Sequence, residues 1–463
     1  MRKILTFFTI GLVILTLLTY KFGFVGGDVA EYLNNGFRVY QGQLPYRDFW
    51  LLFPPGEVYF PALIFKIFGN NINFVLLANV VVGFLYAWVG FKTVRKFTKV
   101  FLYAYVSGIL TYFFGVNNIY VLFVLLAAYF LIDSKYFLTG IFVGLSFWFR
   151  FYEISAILGA FVLFLILDHK FRNIKRLLIG MGLPIVLMMV LIRSILPMML
   201  NQLLFESLRH GTVWRLPYFI DLINNLHFLK GNLRAMIQTP YLLGIYLLPI
   251  VVVVAAGSLK RKDKHIYLFL FWIVALSPRA LMRGSLETVA HSLVPTILLA
   301  GVLLSKPLNK HFKIALILVT GLSLWIVVSF STESLRNLVK NNSRKDELNK
   351  LVRLVEARTK PGDKIFVTDW ESPPLYVLTG RNNPTYYDSL IDLLAVPSID
   401  KEISLCHELL VDPPKLIIHD FGGGITDVDR KFYSFEKLTP YLNQCIRNNF
   451  QNIVVDPEGL PLR

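Results

Sequence analysis

Four carboxylates lie close together just after the first apolar stretch of the chain, at Asp28, Glu31, Asp48 and Glu57. Residues 1–330 contain only 11 of the 30 acidic residues, so these four are over a third of that supply. Carboxylates beside a membrane-length apolar stretch are costly unless they take part in chemistry or pair with a cation. A carboxylate can accept the proton of a reacting hydroxyl group. The sequence therefore predicts an active site in this segment.

The composition indicates a polytopic α-helical membrane protein. The chain is 55% hydrophobic and 17% charged, and its mean hydropathy is +0.57. Apolar runs of membrane-spanning length recur throughout residues 1–330, and basic clusters separate them. The formal net charge of +17 is uneven, since residues 1–330 carry +19 and residues 331–463 carry −2. The loops between the spans account for the excess of positive charge in residues 1–330. Residues 331–463 form no basic soluble patch, which excludes nucleic-acid binding.

About eleven transmembrane helices are predicted. They lie at about 4–20, 72–91, 99–115, 118–132, 136–149, 153–167, 177–195, 241–257, 266–278, 288–305 and 314–330. With the N-terminus in the cytoplasm, every second loop is basic, for example Lys92–Lys99 and Lys170–Arg176. The odd number of spans places the C-terminal part outside the cytoplasm. The predicted domains are a transmembrane domain at 1–330, with an outer loop at 21–71, and an extracytoplasmic α/β domain at 331–463.

Two segments leave alternatives open. The first span is either a retained anchor or a cleaved signal peptide, and the anchor is favoured because no clear small-residue cleavage site follows it. The outer loop at 196–240 contradicts the charge rule, since it contains Arg209, Arg215, Lys230 and Arg234. Either an amphipathic helix of this loop lies on the membrane surface, or the cations attract an anionic headgroup.

The outer loop is predicted to contain two short helices joined by an extended turn. Residues 28–40 form an amphipathic helix whose apolar side comprises Val29, Tyr32, Leu33, Gly36, Phe37 and Tyr40. Asp28 begins this helix, so its carboxylate either caps free N–H groups or does chemistry. Pro45 favours an extended chain, and Pro55 is suited to the start of a second helix at Gly56–Phe68.

The order of these motifs resembles the GT-C superfamily. The sequence has an Asp-x-x-x-Tyr helix from Asp28, a Gly-x-x-Pro-Tyr-x-Asp turn ending at Asp48, and a Pro-Pro-Gly motif at 54–56. A His-x-x-x-Pro stretch from His291 is also similar to one in such enzymes. These integral-membrane glycosyltransferases use polyprenyl-phosphate sugars, and they include protein O-mannosyltransferases and the aminoarabinose transferase of lipid A.

The resemblance implies an inverting hexosyl- or pentosyltransferase on the outer face of the cell (plasma or inner) membrane. Its donor would be a polyprenyl-phosphate-linked sugar, and its acceptor a hydroxyl of a protein, lipid or glycan. Asp28 maps onto the presumed catalytic base, and Asp48 onto a second acidic position. Many relatives have a Lys directly before Pro-Pro that helps to hold the lipid phosphate, whereas this chain has Phe53 there.

Other residues are candidates for binding the substrate. The leaving phosphate requires positive charge, and an Arg binds phosphate through two parallel hydrogen bonds. Arg150, Arg279 and Arg283 lie at predicted outer ends of spans, although Arg150 could instead pair with Glu153. His291 is either a headgroup contact or a packing residue. The predicted substrate contacts are completed by Glu31 and Tyr46.

No cofactor is predicted. The sequence has no cluster of His and Cys with metal-ligand spacing, although Asp28 with Asp48 could hold a divalent cation. A transporter or flippase for a lipid-linked sugar is the main alternative, but no internal repeat is visible and the acidic residues lie in an outer loop. A non-enzymatic scaffold would leave Asp28 and Asp48 without a purpose.

The C-terminal part reads as a small α/β layer. Strands are predicted at Lys364–Val367, Lys415–Ile418 and Ile453–Val455, with helices at Asp346–Arg358 and Phe435–Phe450. The resemblance suggests a role in acceptor recognition. The glycine run Phe421–Gly424 is more often a turn than a phosphate loop. Cys406 and Cys445 could form a disulfide outside the cell, although the sequence does not show whether they are close.

Overall fold

The structure, a computed structural model, describes most of the chain in thirteen ranges. These are residues 2–20, 28–51, 53–115, 119–206, 218–227, 233–259, 263–282, 286–340, 343–368, 374–387, 398–419, 439–450 and 453–455. Its fold is mostly helical. The helices up to residue 340 are α1 (Arg2–Thr19), α2 (Asp28–Tyr40), α3 (Gly56–Phe68), α4 (Ile72–Arg95), α5 (Phe101–Gly115), α6 (Ile119–Ile132), α7 (Tyr136–Phe147), α8 (Phe151–Leu167), α9 (Phe171–Leu191), α10 (Leu196–Asn201), α11 (Ile220–His227), α12 (Leu233–Gly257), α13 (Lys264–Met282), α14 (Leu286–Leu303) and α15 (Lys310–Lys340). A π-helical turn, Gln202–Glu206, follows α10.

The apolar helices fit a multi-pass membrane protein, and the number of membrane crossings stays a prediction. Four described helices are long and apolar enough to cross a membrane, judged by length and composition: Ile72–Arg95, Phe171–Leu191, Ala235–Gly257 and Lys310–Arg336. Six more apolar helices are shorter. Helix α15 continues to Lys340, past the predicted boundary at 330. The apolar run ends near residue 330, but polar residues can continue a helix, and the Thr332 hydroxyl donates to the Val328 carbonyl one turn earlier.

Ion pairs join loop ends that the charge rule places on one side of the membrane. Lys96 lies 2.7 Å from Asp133, Lys264 lies 3.0 Å from Asp168, and Lys306 lies 3.4 Å from Asp263. Each pair connects two different basic loops. The structure therefore joins these basic loops in pairs, while the alternation of inner and outer loops stays a prediction. In the loop at 196–240, Arg209, Arg215 and Lys230 lie outside the described residues, and α11 is a short helix between them.

The C-terminal residues form a three-stranded parallel sheet with helices along its connections. The elements are α16 (Ser343–Arg358), β1 (Ile365–Val367), α17 (Pro374–Thr379), α18 (Ile399–Val411), β2 (Leu416–His419), α19 (Pro440–Asn449) and β3 (Ile453–Val455). The strand order is β1-β2-β3, with Phe366 opposite Ile417 and Ile418 opposite Val454. The three predicted strands are confirmed. Helix α19 begins at Pro440, since proline suits a first helical turn, and residues 435–438 of the predicted helix lie outside the described residues.

The chain divides into two compact units. The first comprises Met1–Thr16, Ala78–Ile192 and Arg215–Leu335, and the second Leu17–Leu77, Arg193–Trp214 and Arg336–Arg463. In the second unit, the outer segment and the C-terminal residues share a core. Trp50 packs in a buried cluster with Phe366, Leu405 and Leu442. The outer segment is thus built together with the C-terminal sheet, whereas sequence analysis treated the two separately.

A disulfide between Cys406 and Cys445 joins α18 to α19 in this core, with a Cα–Cα distance of 6.2 Å. The bond closes a loop over a sequence separation of 39. We expect the double variant Cys406→Ala/Cys445→Ala to lose about 2–4 kcal/mol of local stability. Faster hydrogen exchange of β1 and β2 in the full-length protein would show this loss, and a reducing agent should reproduce it only in the wild type. Unchanged exchange in the double variant would contradict the prediction.

Candidate functional site

Helix α2 carries the polar residues of the outer segment on one side. With 3.6 residues per turn, positions 28, 31, 34, 35 and 38 fall within an arc of about 120°. We call this the polar arc of α2; its members are Asp28, Glu31, Asn34, Asn35 and Arg38. Asp28 is the first residue of the helix, as predicted. Of this residue the structure describes the backbone only. The other four side chains are buried, with Glu31 6% exposed and Arg38 4% exposed.

The opposite side of α2 fixes the helix in the second unit. Leu33 and Phe37 pack in a buried cluster with Phe65, Ile72 and Val75. Helix α3 crosses so closely that a Cβ atom at Gly36 would lie 2.6 Å from the Pro61 side chain. The predicted amphipathic helix and the predicted helix at Gly56–Phe68 are therefore confirmed, and the packing explains why residue 36 is a glycine.

The turn that contains Asp48 is stabilised by the carboxylate of that residue. Asp48 Oδ2 accepts a 2.7 Å hydrogen bond from the Leu44 N–H, and Oδ1 lies 2.8 Å from Arg47 Nε. The hydrogen bond from Arg47 lowers the pKa of Asp48, and the Leu44 N–H and the charge of Arg38 add to this effect. A carboxylate with a lowered pKa is a weaker proton acceptor. The structure thus gives Asp48 a structural role beside the predicted catalytic one.

Tyr46 has an uncommon backbone conformation in the same turn. Its φ of 64° lies in the left-handed region, which non-glycine residues seldom occupy. Its side chain is buried, and its hydroxyl donates a 2.6 Å hydrogen bond to the Phe53 carbonyl. Burial raises the pKa of the Tyr46 phenol, which is also near Tyr59 and Tyr386. The predicted substrate contact therefore lies inside the second unit as a protonated hydrogen-bond donor.

Two distant parts of the chain hold this turn. The Tyr386 hydroxyl donates a 2.9 Å hydrogen bond to the Tyr46 carbonyl, and the Gln202 amide contacts the same carbonyl at 3.4 Å and the Tyr386 hydroxyl. The Trp50 N–H donates to the Tyr386 carbonyl at 2.9 Å. Gln202 and Tyr386 were not predicted, since nothing in the spacing of residues this far apart signals the contact.

Arg38 connects the polar arc to the turn and to the C-terminal part. Its Nε donates to Gln43 Oε1 at 2.6 Å, and one Nη donates to the carbonyls of Asp48 at 2.9 Å and Thr385 at 3.0 Å. The guanidinium also lies 4.7 Å from the centre of the Phe49 ring. Arg38 was not predicted either, although its spacing from Glu31 and Asn35 on the helix was a usable signal.

The first unit contains the predicted arginines. Glu153 pairs with Arg279, so the partner of this carboxylate lies on α13. Among the described residues, Glu153 forms its ion pair with Arg279 and not with Arg150, which was the predicted alternative. Arg150 is buried directly before α8, with its guanidinium 5.9 Å from the Tyr120 ring. Arg283 lies outside the described residues, and of His291 only the helical backbone is described.

Two other predictions concern ligands of the site. Among the described residues, no group of three or more His, Cys, Asp or Glu side chains is arranged to hold a metal ion. The glycine run Phe421–Gly424 lies outside the described residues. The choice between a turn and a phosphate loop for that run therefore stays a prediction.

Comparisons with known proteins identify similar chains. A sequence model of the family described as dolichyl-phosphate-mannose-protein mannosyltransferase matches residues 53–195. Two crystal structures of ArnT from Cupriavidus metallidurans share the fold at 12% sequence identity. The one bound to undecaprenyl phosphate has a TM-score of 0.61 and covers 90% of this chain and 89% of that chain. The apo structure has a TM-score of 0.57 and covers 97% and 89%. No curated protein sequence matches the chain. The predicted resemblance to the GT-C superfamily of membrane glycosyltransferases is confirmed.

Proposed function

We propose that the protein is an inverting glycosyltransferase that moves a sugar from a polyprenyl-phosphate carrier to an acceptor hydroxyl. The observation that carries this proposal is the fold shared over almost the whole chain with ArnT, whose structure holds undecaprenyl phosphate. The name of the family matched at residues 53–195 contains a polyprenyl-phosphate sugar, dolichyl-phosphate mannose. Both names point to the same class of donor.

Asp28 is the proposed base. As the acceptor oxygen attacks the anomeric carbon, its proton passes to the carboxylate, and the bond from that carbon to the phosphate oxygen breaks. A single displacement inverts the anomeric centre, so the second carboxylate of a retaining glycosidase is not required. Asp48 contributes by holding the turn, and Glu31 and Tyr46 are the proposed contacts to the substrate.

The leaving phosphate is anionic and requires positive charge more than a proton. Arg150, Arg279 and Arg283 stay the proposed phosphate ligands, and His291 a proposed headgroup contact. The ion pair with Glu153 balances the charge of Arg279, so a phosphate there would compete with a carboxylate. Arg150 lies at a helix start against an aromatic ring, a place where a guanidinium is oriented in advance.

We propose that residues after α15 lie on the extracytoplasmic side, together with the outer segment that shares their core. The disulfide supports this placement, since disulfides persist in oxidising compartments and are rare in the cytosol. Eleven crossings by the apolar helices would bring the C-terminus to that side if the N-terminus is cytoplasmic. The acceptor, a protein, lipid or glycan, would then be modified outside the cytoplasm.

A transfer assay tests the proposal. The purified protein is reconstituted in liposomes with synthetic undecaprenyl-phosphate hexoses and pentoses and with a membrane extract as the source of acceptors. We expect release of undecaprenyl phosphate from one of these donors, measured by mass spectrometry, and an inverted linkage in the product. Movement of intact donor across the bilayer without cleavage would instead identify a flippase and contradict the proposal.

A further inference from the structure

The polar arc contains two side chains whose hydrogen-bonding groups are unused. Asn34 and Asn35 are both 0% exposed. Within the described part of the chain, neither the oxygen nor the nitrogen of either amide has a hydrogen-bond partner. Buried polar groups are paired in the great majority of cases, because a buried group without a partner loses its bonds to water and gains nothing. Four such atoms on adjacent residues call for an explanation.

The fold itself does not provide one. Asn34, Asn35 and Gly36 are consecutive weak helix formers in the interior of α2. Gly36 is explained by the close approach of Pro61. An apolar residue of similar size at 34 or 35 would keep the helix and remove the unpaired groups, which is often neutral or stabilising. Asparagine at these positions therefore weakens the fold, so a role outside the fold accounts for it better.

We propose that Asn34 and Asn35 bind hydroxyl groups of the sugar carried by the donor; this rests on the proposed function. Each side-chain amide offers two N–H donors and a carbonyl acceptor. A metal ion would use only the two oxygens, and an anion only the N–H groups, so either would leave half of the groups unpaired. A sugar hydroxyl donates and accepts at once, and a ring with several hydroxyls can satisfy both kinds of group.

The sugar reaches these amides only when the side chains that cover the polar arc move. The polar atoms of both amides are fully buried. Helix α2 can stay in place, because Leu33 and Phe37 on its opposite side are fixed against Phe65 and Ile72. The amides have already lost their bonds to water, so the hydroxyls restore hydrogen bonds at no further desolvation of the protein. Such a site discriminates strongly against a ligand that lacks the hydroxyls.

The variants Asn34→Leu and Asn35→Leu test this role, since leucine has a similar size and no polar atoms. We expect a melting temperature equal to or above that of the wild type. The affinity for a synthetic undecaprenyl-phosphate hexose should fall about tenfold or more, as for the loss of hydrogen bonds in a buried site. The affinity for undecaprenyl phosphate without a sugar should not change. Native mass spectrometry of the full-length protein measures both affinities.

Thr320→Val is the matched control, because the Thr320 hydroxyl on α15 is also buried without a hydrogen-bond partner among the described residues. It should raise the melting temperature and leave both affinities unchanged.

Equal preference for the hexose lipid in the wild type and the leucine variants would overturn the proposal. Stabilisation of the wild type alone by Mg²⁺ or Mn²⁺ would also overturn it, by identifying a cation site. If a leucine variant does not fold, Asn34→Ser and Asn35→Ser replace it with the same expected loss of preference. Absence of donor cleavage by the wild type would contradict the proposed function and leave this binding comparison valid.

Discussion

Replacing Asp28 by Asn should stop sugar transfer while helix α2 stays intact. Asparagine caps a helix N-terminus about as well as aspartate does, so the exchange keeps any structural role of residue 28. The neutral amide cannot accept the acceptor proton, and the loss of a general base lowers turnover by about 10²- to 10⁴-fold. The release of undecaprenyl phosphate from the donor measures turnover, and the melting temperature reports the fold.

Two companion variants separate the roles of the carboxylate. Asp28→Ala removes the carboxylate both as the proposed base and as the proposed cap, so its melting temperature should fall below that of Asp28→Asn, by the equivalent of about 0.5–2 kcal/mol. Asp133→Asn is the matched control in the first unit, where that carboxylate pairs with Lys96; its transfer rate should stay near the wild-type rate. An Asp28→Asn protein with more than about a tenth of wild-type turnover would rule out the proposed base.

The parts of the site that sequence analysis predicted correctly are set by local patterns. Helix α2 follows from the apolar spacing of Leu33 and Phe37, and it begins at Asp28 as predicted. Helix α3 begins directly after the two prolines and ends before Gly69, whose φ of 79° favours glycine. Both signals act within a few residues, so they do not depend on the rest of the fold.

The contacts that sequence analysis missed depend on partners far along the chain. Arg38 and Gln202 donate to backbone carbonyls, and a carbonyl is present at every residue, so no residue type marks the acceptor. Asp48 illustrates the converse. Its motif predicted a catalytic role, which stays a prediction, whereas its hydrogen bonds with Leu44 and Arg47 became visible only in three dimensions. The pairing of Glu153 with Arg279 likewise required the packing of two helices.

Arg38→Lys should loosen the second unit at the turn that follows α2. The guanidinium reaches three acceptors from two nitrogen atoms: Nε donates to Gln43, and one Nη donates to the carbonyls of Asp48 and Thr385. A lysine ammonium is a single point of donation and cannot span them. Hydrogen bonds from a charged donor contribute about 1.5–3 kcal/mol each, so losing one or two of them should cost about 2–4 kcal/mol of local stability. Hydrogen exchange of residues 44–51 and 383–387 in the full-length protein measures this loss.

Arg47→Lys is the control that separates position from charge. Arg47 also lies beside Asp48, but its side chain is 52% exposed, and exposed ion pairs contribute little to stability. Exchange at both segments should therefore stay as in the wild type. Because the turn sets the left-handed backbone of Tyr46, Arg38→Lys should also reduce sugar transfer, although Arg38 itself is not a proposed catalytic residue. Equal exchange in the two variants would mean that the turn holds its shape without Arg38. The contacts of Tyr46 with Tyr386 and Gln202 would then suffice to join the outer segment to the C-terminal core.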